Sequence, residues 1–386
     1  MTPPSFAGQP AAPGALWGTV TAVQANYYSV RLERAASLGK AAAAGVADRP
    51  KALLCTRRAR LKKVGQQVMV GDHVQVEDPD WEGQRGAIAA VSPRQTQLDR
   101  PPVANANQIL LVFALAEPDL DVHQLTRFLV KAELTGLDIC LCLNKCDLLE
   151  ADAQAAWQAR LGRWGYAPVM ISVKQSLGLS TLADALHSRI TVVSGPSGVG
   201  KSSLINRLIP AADLRVSAVS GKLGRGRHTT RHVELFELLT GGLLADTPGF
   251  NQPDIACTPQ ALGECFPEIR DHLQNHRCQF TDCLHRAEPG CAVPSNWERY
   301  PDYLQLLDSC VMQTQLAHDS ADPEAAFKIK ITDDGQIQHE PRLSPKKYRR
   351  VSRRSRKQSL EDLRYELTDS LDNLEALEEE DINVDF

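Results

Sequence analysis

The chain has 386 residues, of which 43% are hydrophobic and 23% are charged. This length suggests two or three domains, and the apolar content excludes a wholly disordered chain. No stretch of about 18 apolar residues lacks a charge or a breaker, which argues against an integral membrane protein. Residues 1–16 have no basic group before an apolar core, so they predict a disordered lead-in rather than a secretory signal. We therefore expect a cytoplasmic protein.

The net charge of −4 hides an uneven distribution. Residues 361–386 hold 11 acidic groups and one basic group, which leaves 42 basic and 36 acidic groups in residues 1–360. Directly before this tail, residues 345–357 contain eight basic residues and no acidic one. A basic body favours a nucleic-acid partner, although a solvated tail without any ligand accounts for the same charges.

The first folded region is predicted to be a small β-barrel. Val, Tyr and Thr are frequent in four predicted strand regions, 18–31, 51–61, 67–76 and 86–91, and Gly71-Asp72 indicates a turn. Their number and size suit a barrel over residues 17–95. An Ala-rich insertion occupies residues 35–48, and a connector rich in Pro and Asn follows over 92–107.

From residue 108 apolar runs alternate with segments of helical spacing, which predicts a doubly wound parallel sheet. The domain limits expected from this change are 96–252 for an α/β domain, 253–320 for a helical Cys/His-rich domain and 321–386 for a charged, disordered tail. Predicted strands are 109–114, 138–143, 168–172, 190–193, 232–239 and 243–245. Predicted helices are 122–134, 151–163, 180–187, 202–208 and 301–318.

A phosphate-binding loop is the sharpest local signal. The run G-P-S-G-V-G-K-S fits G-x-x-x-x-G-K-[ST] and lies between a predicted strand and a predicted helix, where its backbone N–H groups can wrap phosphates. Lys201 is expected to reach the β- and γ-phosphates, and the Ser202 hydroxyl to bind Mg²⁺. The loop would equally suit a nucleoside monophosphate kinase. The residues assigned to it are Gly195, Pro196, Ser197, Gly198, Val199, Gly200, Lys201, Ser202 and Ser203.

A guanine-recognition motif follows the strand at 138–143. Asn144-Lys145-Cys146-Asp147 matches N-K-x-D, in which the carboxylate accepts from guanine N1–H and the 2-amino group. Adenine would leave that carboxylate unpaired, which supplies discrimination. Lys145 would lie along the base and Asn144 would brace neighbouring loops. Taken alone, the motif is also an ordinary set of turn residues.

Two weaker elements complete the expected site. Ser172-Val173-Lys174 follows the next strand and resembles the S-A-K element, whose backbone N–H meets guanine O6. Asp246-Thr247-Pro248-Gly249 matches D-x-x-G, in which Asp246 would hold Mg²⁺ through water and the Gly249 N–H would bind the γ-phosphate. Either run could instead be a simple turn.

The polar segment 221–232 is predicted to be a switch loop that orders on GTP. We assign Thr230 within it to the Mg²⁺ shell. Phe250 stands where many GTPases place a water-orienting Gln, and a phenyl ring cannot replace that amide. His228 is the nearest candidate for this task, with a solvated loop histidine as the alternative. Weak hydrolysis stimulated by a partner is therefore expected.

These motifs occur in an unusual order, with N-K-x-D and S-V-K before the phosphate loop. Each lies on a separate strand-to-helix connection, so a rotated chain order can leave one pocket intact. The sequence therefore predicts a circularly permuted GTPase domain.

A metal site is predicted near the C-terminus of the folded region. Cys278, Cys283, His285 and Cys291 follow C-x4-C-x-H-x5-C, and Pro289-Gly290 forces a turn before the last ligand. Three Cys and one His form a closed tetrahedral Zn²⁺ site, which is structural because no position remains for water. Reduced core cysteines are the alternative. Cys257, Cys265, His272, His276 and Cys310 have no matching spacing and are expected to be packing or surface residues.

The combination resembles one family, the small ribosomal subunit-dependent GTPases called RsgA, YjeQ or YloQ. The resemblance rests on a β-barrel, G-P-S-G-V-G-K-S-S, R-H-T-T-R, D-T-P-G-F and the Cys/His segment, over residues 17 to about 310. It implies an N-terminal OB-fold that binds 16S ribosomal RNA and GTP hydrolysis stimulated by the 30S subunit during its late maturation. It also implies a catalytic role for His228 and an Mg²⁺-linked role for Thr230. The 35–48 insertion and the tail have no counterpart in this resemblance.

The expected protein is thus a monomeric, ribosome-stimulated GTPase that binds GTP, GDP, Mg²⁺ and one Zn²⁺ and no membrane. An RNA-binding assembly adaptor with a structural GTP site, and less so a nucleoside monophosphate kinase, remain as alternatives. GTP turnover measured with and without 30S subunits separates the GTPase from the assembly adaptor.

Overall fold

A computed structural model describes residues 16–33, 50–99, 101–209, 233–246, 255–321, 327–331 and 337–341. The lead-in, the 35–48 insertion, the switch segment 221–232 and most of the tail lie outside these residues. The described residues fall into two compact units that divide between Met312 and Gln313. Within the described part of the chain, no helix is both long and apolar enough to cross a membrane.

Strands dominate the first unit, with helices on both faces of its parallel part. The described strands are β1 Leu16–Gln24, β2 Tyr27–Leu32, β3 Ala52–Arg57, β4 His73–Asp80, β5 Arg85–Val91, β6 Gln97–Asp99, β7 Pro102–Ala104, β8 Gln108–Ala114, β9 Asp138–Asn144, β10 Val169–Met170, β11 Ile190–Ser194, β12 Glu234–Glu237, β13 Leu243–Asp246, β14 Phe327–Ile331 and β15 Ile337–Pro341. The described helices are α1 Ala59–Lys63, α2 Val122–Glu133, α3 Ala151–Arg163, α4 Leu179–Ala185, α5 Lys201–Leu208, α6 Pro259–Glu264, α7 Pro267–Asn275 and α8 Tyr300–Ala321.

The N-terminal region is a closed barrel, as predicted, and it has five strands because the predicted region 18–31 forms both β1 and β2. Its strands pair in the order β1-β2-β3-β5-β4, and β4 returns to pair with β1. Alternate residues point inward because strand side chains have a period of two. The barrel interior is therefore filled by apolar side chains such as Val20, Val30, Leu53, Val74 and Ile88, all at most 1% exposed.

The central sheet has the order β10-β9-β8-β11-β13-β12. Strands β8 to β11 and β13 are mutually parallel, as predicted, whereas β12 runs antiparallel to β13. The sequence could not predict this reversal, because a short apolar strand carries no signal of its direction. One further bridge, Ala22 to Glu234, joins β12 to barrel strand β1.

Strand β8 shows why the sheet lies at the centre of the fold. All seven of its residues are buried. Ile109, Leu111 and Phe113 pack on one face with α2 and α3, while Leu110 and Val112 pack on the other face with α4 and α5. A strand buried on both faces is typical of parallel sheets covered by helices. This arrangement aligns the carboxyl ends of the parallel strands along one edge.

The C-terminal part of the first unit is a small helical module. Its core contains Leu262, Phe266, Ile269, Tyr303 and Leu307, all at most 1% exposed. Val130 of α2 belongs to the same core, so the module packs directly on the parallel-sheet domain. In the second unit, β14 and β15 pair as an antiparallel hairpin, with Ile329 opposite His339.

Candidate guanine-nucleotide pocket and metal centre

A cavity of about 330 Å³ opens at the carboxyl edge of the parallel sheet. Ligands of open α/β sheets bind at such edges. The residues that line the cavity are Glu117, Asn144, Lys145, Asp147, Leu148, Ser172, Val173, Lys174, Gly200 and Ser203. The structure therefore brings the N-K-x-D segment, the S-V-K segment and the end of the phosphate loop to one place, although they are far apart in sequence.

The phosphate loop connects β11 to α5, and its glycines adopt conformations that other residues rarely take. Gly195, Gly198 and Gly200 have φ angles of +144°, +82° and +94°. A Cβ atom at Gly195 would lie 2.1 Å from the Val112 carbonyl oxygen, and one at Gly200 would lie 2.5 Å from Asn144 Nδ2. Only glycine fits both positions without displacing the neighbouring strand ends.

The Lys201 ammonium lies across the phosphate loop. Its Nζ donates to the carbonyl oxygens of Gly195 at 2.8 Å and Pro196 at 2.5 Å. Ser202 and Ser203 follow, exposed, in the first turn of α5, where the helix dipole favours an anion. The loop thus presents a cation, hydroxyl groups and N–H groups together, the set that a phosphate chain requires.

Asn144 ties the phosphate loop to the base-recognition loop. The residue is 3% exposed, and its Nδ2 donates to the Val199 carbonyl oxygen at 2.9 Å. Its Oδ1 accepts from the Val173 N–H at 3.3 Å. One buried amide therefore fixes two loops that lie 26 residues apart in sequence.

Lys145 bridges two backbone segments in a similar way. It has a positive φ of 61°, and its Nζ donates to the Gly198 carbonyl oxygen at 3.2 Å and to the carbonyl oxygen of Glu117. Its side chain is therefore held against the phosphate loop, and the residue lines the cavity. Glu117, which follows β8, was not among the residues that the sequence singled out.

Asp147 and Ser172 complete the described base side of the cavity. Asp147 lies in a 3-10 turn over Cys146–Leu148, and its carboxylate makes no hydrogen bond or ion pair with the residues that the structure describes. Ser172 is fully buried, exchanges two backbone hydrogen bonds with Leu177, and accepts from the Gln175 N–H at 3.0 Å. The cavity is therefore bordered by a carboxylate without a described partner and by a loop that its own hydrogen bonds hold in place.

The switch residues are only partly placed. Strand β13 ends at Asp246 and pairs in parallel with β11, so its carboxyl end lies at the same edge as the phosphate loop. The Asp246 side chain and His228, Thr230 and Gly249 lie outside what the structure describes. Their assignments therefore stay predictions.

The Cys/His cluster forms a compact tetrad. The ligand atoms of Cys278, Cys283, His285 and Cys291 all lie within 4.8 Å of one another, and each sulfur is 3.6 Å from His285 Nδ1. Tetrahedral Zn²⁺ bonds of about 2.3 Å to sulfur and 2.0–2.1 Å to nitrogen place S and N about 3.5 Å apart. The four side chains thus fit a tetrahedral metal ion.

Surrounding groups hold the metal-binding loop in shape. The Glu288 carboxylate accepts from the N–H groups of Leu284 at 3.0 Å and Arg286 at 2.7 Å. The Ala292 N–H points at Cys278 Sγ at 3.4 Å, a contact that stabilises a thiolate. Tyr303 donates to the Leu284 carbonyl oxygen at 2.6 Å, which fastens the loop to α8.

The other cysteines of the module pack in its core, as predicted. Cys265 and Cys310 are 3% and 1% exposed, and Cys257 Sγ lies 3.6 Å from Cys310 Sγ. Burial raises the pKa of the Cys257 and Cys265 thiols to about 12, so they are protonated at neutral pH. These thiols are not metal ligands in the described arrangement.

A buried arginine joins the metal-binding module to the parallel-sheet domain. Arg299 is fully buried, and its Nε donates to Glu268 Oε1 at 2.8 Å. A second guanidinium nitrogen donates to Glu268 Oε2. The same guanidinium lies over the Trp164 ring at 4.7 Å, and Trp164 Nε1 donates to Glu298 Oε2 at 2.8 Å. Sequence patterns gave no indication of this junction.

The fold and the pocket define a P-loop nucleotide-binding protein whose base-recognition segments precede its phosphate loop. The RsgA GTPase family model matches residues 91–256. A small ribosomal subunit biogenesis GTPase RsgA from Trichormus variabilis is 59% identical over 360 residues, covering 91% of this chain and 97% of its own length. Another RsgA, from a Synechocystis species, is 54% identical over 374 residues, covering 93% and 97%.

Solved structures agree with these relatives. YjeQ from Thermotoga maritima has a TM-score of 0.62 and 28% identity, covering 77% of this chain and 99% of that one. YloQ, described as a circularly permuted GTPase, has a TM-score of 0.63 and 27% identity, covering 78% and 96%. The chain belongs to the RsgA family of small ribosomal subunit biogenesis GTPases.

Proposed function

We propose that this chain binds GTP in the cavity beside Asp147 and hydrolyses it on the 30S ribosomal subunit, whose late maturation it assists. The observation that carries the proposal is the position of Asn144, whose amide contacts both Val199 and Val173. A pocket in which the base loop and the phosphate loop share one buried amide suits a ligand that spans both loops. Family membership supports the GTPase activity and the ribosomal partner.

Each part of the nucleotide has a matching group in the chain. The Asp147 carboxylate would accept from the base, and a backbone N–H of the Ser172–Lys174 segment would meet guanine O6. Lys201, now on two carbonyl oxygens of its own loop, would turn to the phosphates. Ser202 and Thr230 would hold Mg²⁺, which neutralises phosphate charge. Asp246 and the Gly249 N–H would complete the phosphate side.

Hydrolysis requires a group that orients the attacking water. We assign this role to His228, because Phe250 occupies the position where many GTPases have Gln. Contact with the 30S subunit would place His228, so hydrolysis would be slow without the subunit.

The ribosomal contact is assigned to the barrel and to the metal-binding module. The strand order of the barrel and the placement of α1 between β3 and β4 support an OB-fold, a common nucleic-acid-binding barrel. The basic residues of α1, Arg60, Lys62 and Lys63, supply charge for 16S rRNA phosphates. We retain domain limits of 17–95, 96–252 and 253–320, a monomer, and a cytoplasmic location where ribosomes mature.

Zinc is the proposed metal of the Cys/His tetrad. Three thiolates and an imidazole suit Zn²⁺, and four protein ligands leave no open position for water. The ion would therefore stabilise the module rather than take part in hydrolysis.

The test is GTP turnover by the full chain with and without purified 30S subunits at a stated salt concentration. We expect turnover to rise at least tenfold on addition of subunits and to fall with increasing salt, because rRNA binding is salt-dependent. Lys201→Ala should abolish the stimulated rate, whereas Lys131→Ala on α2, a residue that does not line the cavity, serves as a lysine control. Subunit binding without any hydrolysis would instead indicate an assembly adaptor.

A further inference from the structure

Glu117 contributes to the nucleotide cavity from a segment that contains none of the recognised GTPase motifs. It lies three residues after the end of β8, the strand next to the phosphate-loop strand β11. The residue is exposed, borders the cavity and has a positive φ of 53°, which is uncommon for a residue other than glycine.

Two contacts hold this segment against the pocket. The Glu117 carbonyl oxygen accepts from Lys145 Nζ, and the same ammonium donates to Gly198 in the phosphate loop. A Cβ atom at Gly198 would lie 3.7 Å from Pro118 Cδ, so the segment also packs against that loop. The backbone of Glu117 is thereby fixed between the base side and the phosphate side of the cavity.

The sugar of a bound nucleotide must cross this part of the cavity. Asp147 and Lys174 of the base-recognition segments line the same cavity as Gly200 and Ser203 at the end of the phosphate loop. A base at Asp147 and a diphosphate at Gly200 leave the ribose between them, beside the wall that Lys145 and Glu117 form. The sugar presents two hydroxyl donors at this point.

The Glu117 carboxylate is chemically suited to those donors. It makes no hydrogen bond or ion pair with any residue that the structure describes, and an ionised carboxylate only accepts hydrogen bonds. Asp147 is the other carboxylate that borders the cavity, and its part is recognition of the base. Carboxylates recognise ribose hydroxyls in dinucleotide-binding folds by the same donor and acceptor match.

We propose that Glu117 is a specificity-determining residue whose carboxylate accepts hydrogen bonds from the ribose hydroxyls of the bound guanine nucleotide. The inference rests on the proposed function, because it takes the base at Asp147 and the phosphates at the glycine loop as given. It predicts that the protein distinguishes ribonucleotides from deoxyribonucleotides, and that this discrimination belongs to Glu117.

The experiment measures dissociation constants of the full chain for GDP, 2′-deoxy-GDP and 3′-deoxy-GDP by calorimetry. For the wild type we expect GDP to bind about tenfold more tightly than at least one deoxy analogue, the low end for a hydrogen bond to a charged group. In Glu117→Ala, the ratio of the dissociation constant for the deoxy analogue to that for GDP should come close to one. Glu117→Gln should keep part of the ratio, because the amide oxygen still accepts.

Ratios separate ribose recognition from a general disturbance of the pocket. A displaced Lys145 would change the affinity for all three nucleotides alike and leave the ratio unchanged, as would relief of repulsion between the carboxylate and the phosphates. Asp119→Asn is the matched control, since Asp119 is an exposed acid two residues away that does not border the cavity. It should preserve the wild-type ratio.

Two negative results have different meanings. If the wild type binds GDP but Glu117→Ala retains the full ratio, or if no ratio exists, the ribose assignment is overturned and the guanine pocket stands. If the wild type binds no guanine nucleotide at all, the proposed function fails and the ribose assignment fails with it.

Discussion

The metal centre and the nucleotide pocket are built in opposite ways. The four metal ligands lie within 14 residues, and each of their side chains turns toward the others. The pocket collects residues from four connections between 117 and 203, held in place by a buried parallel sheet. A local site of this kind needs its ligand in order to fold, whereas the pocket is already shaped by the sheet beneath it.

The largest expected effect follows from removing a metal ligand. Cys283→Ser should lower zinc content from about one ion per chain to a small fraction, since structural zinc contributes roughly 10–16 kcal/mol in small zinc modules. Hydrogen exchange over residues 278–291 should lose its protection, while GDP affinity changes by less than about threefold. Elemental analysis, exchange mass spectrometry and calorimetry check these three outcomes.

Cys257→Ser is the matched control, because Cys257 is a half-buried thiol of the same module outside the tetrad. It should retain the ion. Full zinc retention in Cys283→Ser would contradict the ligand assignment, and loss of GDP binding would contradict the independence of the two sites.

The next largest effect concerns the buried ion pair inside the metal-binding module. Arg299 is fully buried and Glu268 is 10% exposed, so Arg299→Met leaves a buried carboxylate without its partner. Breaking such a pair costs about 3–5 kcal/mol. Exchange protection over residues 255–312 should therefore fall strongly, while the parallel sheet keeps its protection.

An exposed ion pair supplies the control for that variant. Arg189 and Asp138 are 37% and 69% exposed, so Arg189→Met should cost about 0–1 kcal/mol. Equal effects of the two substitutions would mean that the buried Arg299–Glu268 pair does not stabilise the module.

Substitution of Asp147, which is assigned to the guanine base, should change the nucleotide preference without changing the stability of the fold. Asp147→Asn exchanges an acceptor for a group that also donates, so GTP affinity should fall on the order of a hundredfold while xanthosine triphosphate affinity rises. Asp152→Asn, at an exposed carboxylate in the first turn of α3, should change neither constant. Unchanged GTP affinity in Asp147→Asn would place the base elsewhere.

The contrast between local and distant construction also explains what the sequence could predict. The metal tetrad and the phosphate loop are contiguous motifs, so spacing alone located them. The family resemblance rested on such motifs and is confirmed by the relatives. Helix α3 was predicted at the residues where it is found, 151–163, because its periodicity is local.

Tertiary contacts could not be predicted, because they join segments that carry no local motif. Glu117 borders the pocket only because β8 lies beside β11, and no residue near it forms a motif. Arg299 pairs with Glu268 across 31 positions, and nothing in either segment predicts that an arginine there is fully buried. The antiparallel direction of β12 likewise depends on its neighbour β13 and on no property of its own four residues.

The smallest expected effect tests how firmly the pocket loops are already held. Arg207 lies on α5, the helix that follows the phosphate loop. Its Nη2 donates to Ser176 Oγ at 2.8 Å, in the loop that contains Ser172–Lys174. The contact is exposed, and an exposed hydrogen bond contributes at most about 1 kcal/mol. Because buried Asn144 already joins these loops, Arg207→Ala should weaken GDP binding by only about twofold to threefold.

A double-mutant cycle sharpens this last prediction. If the two side chains act as a pair, Ser176→Ala should give the same small loss, and the double variant should lose no more than either single one. Calorimetric GDP affinities of the four proteins provide the cycle. A loss of GDP affinity above about tenfold in Arg207→Ala would show that the loops depend on this exposed contact more than on the sheet and Asn144. The pocket would then depend on local contacts, as the metal centre does.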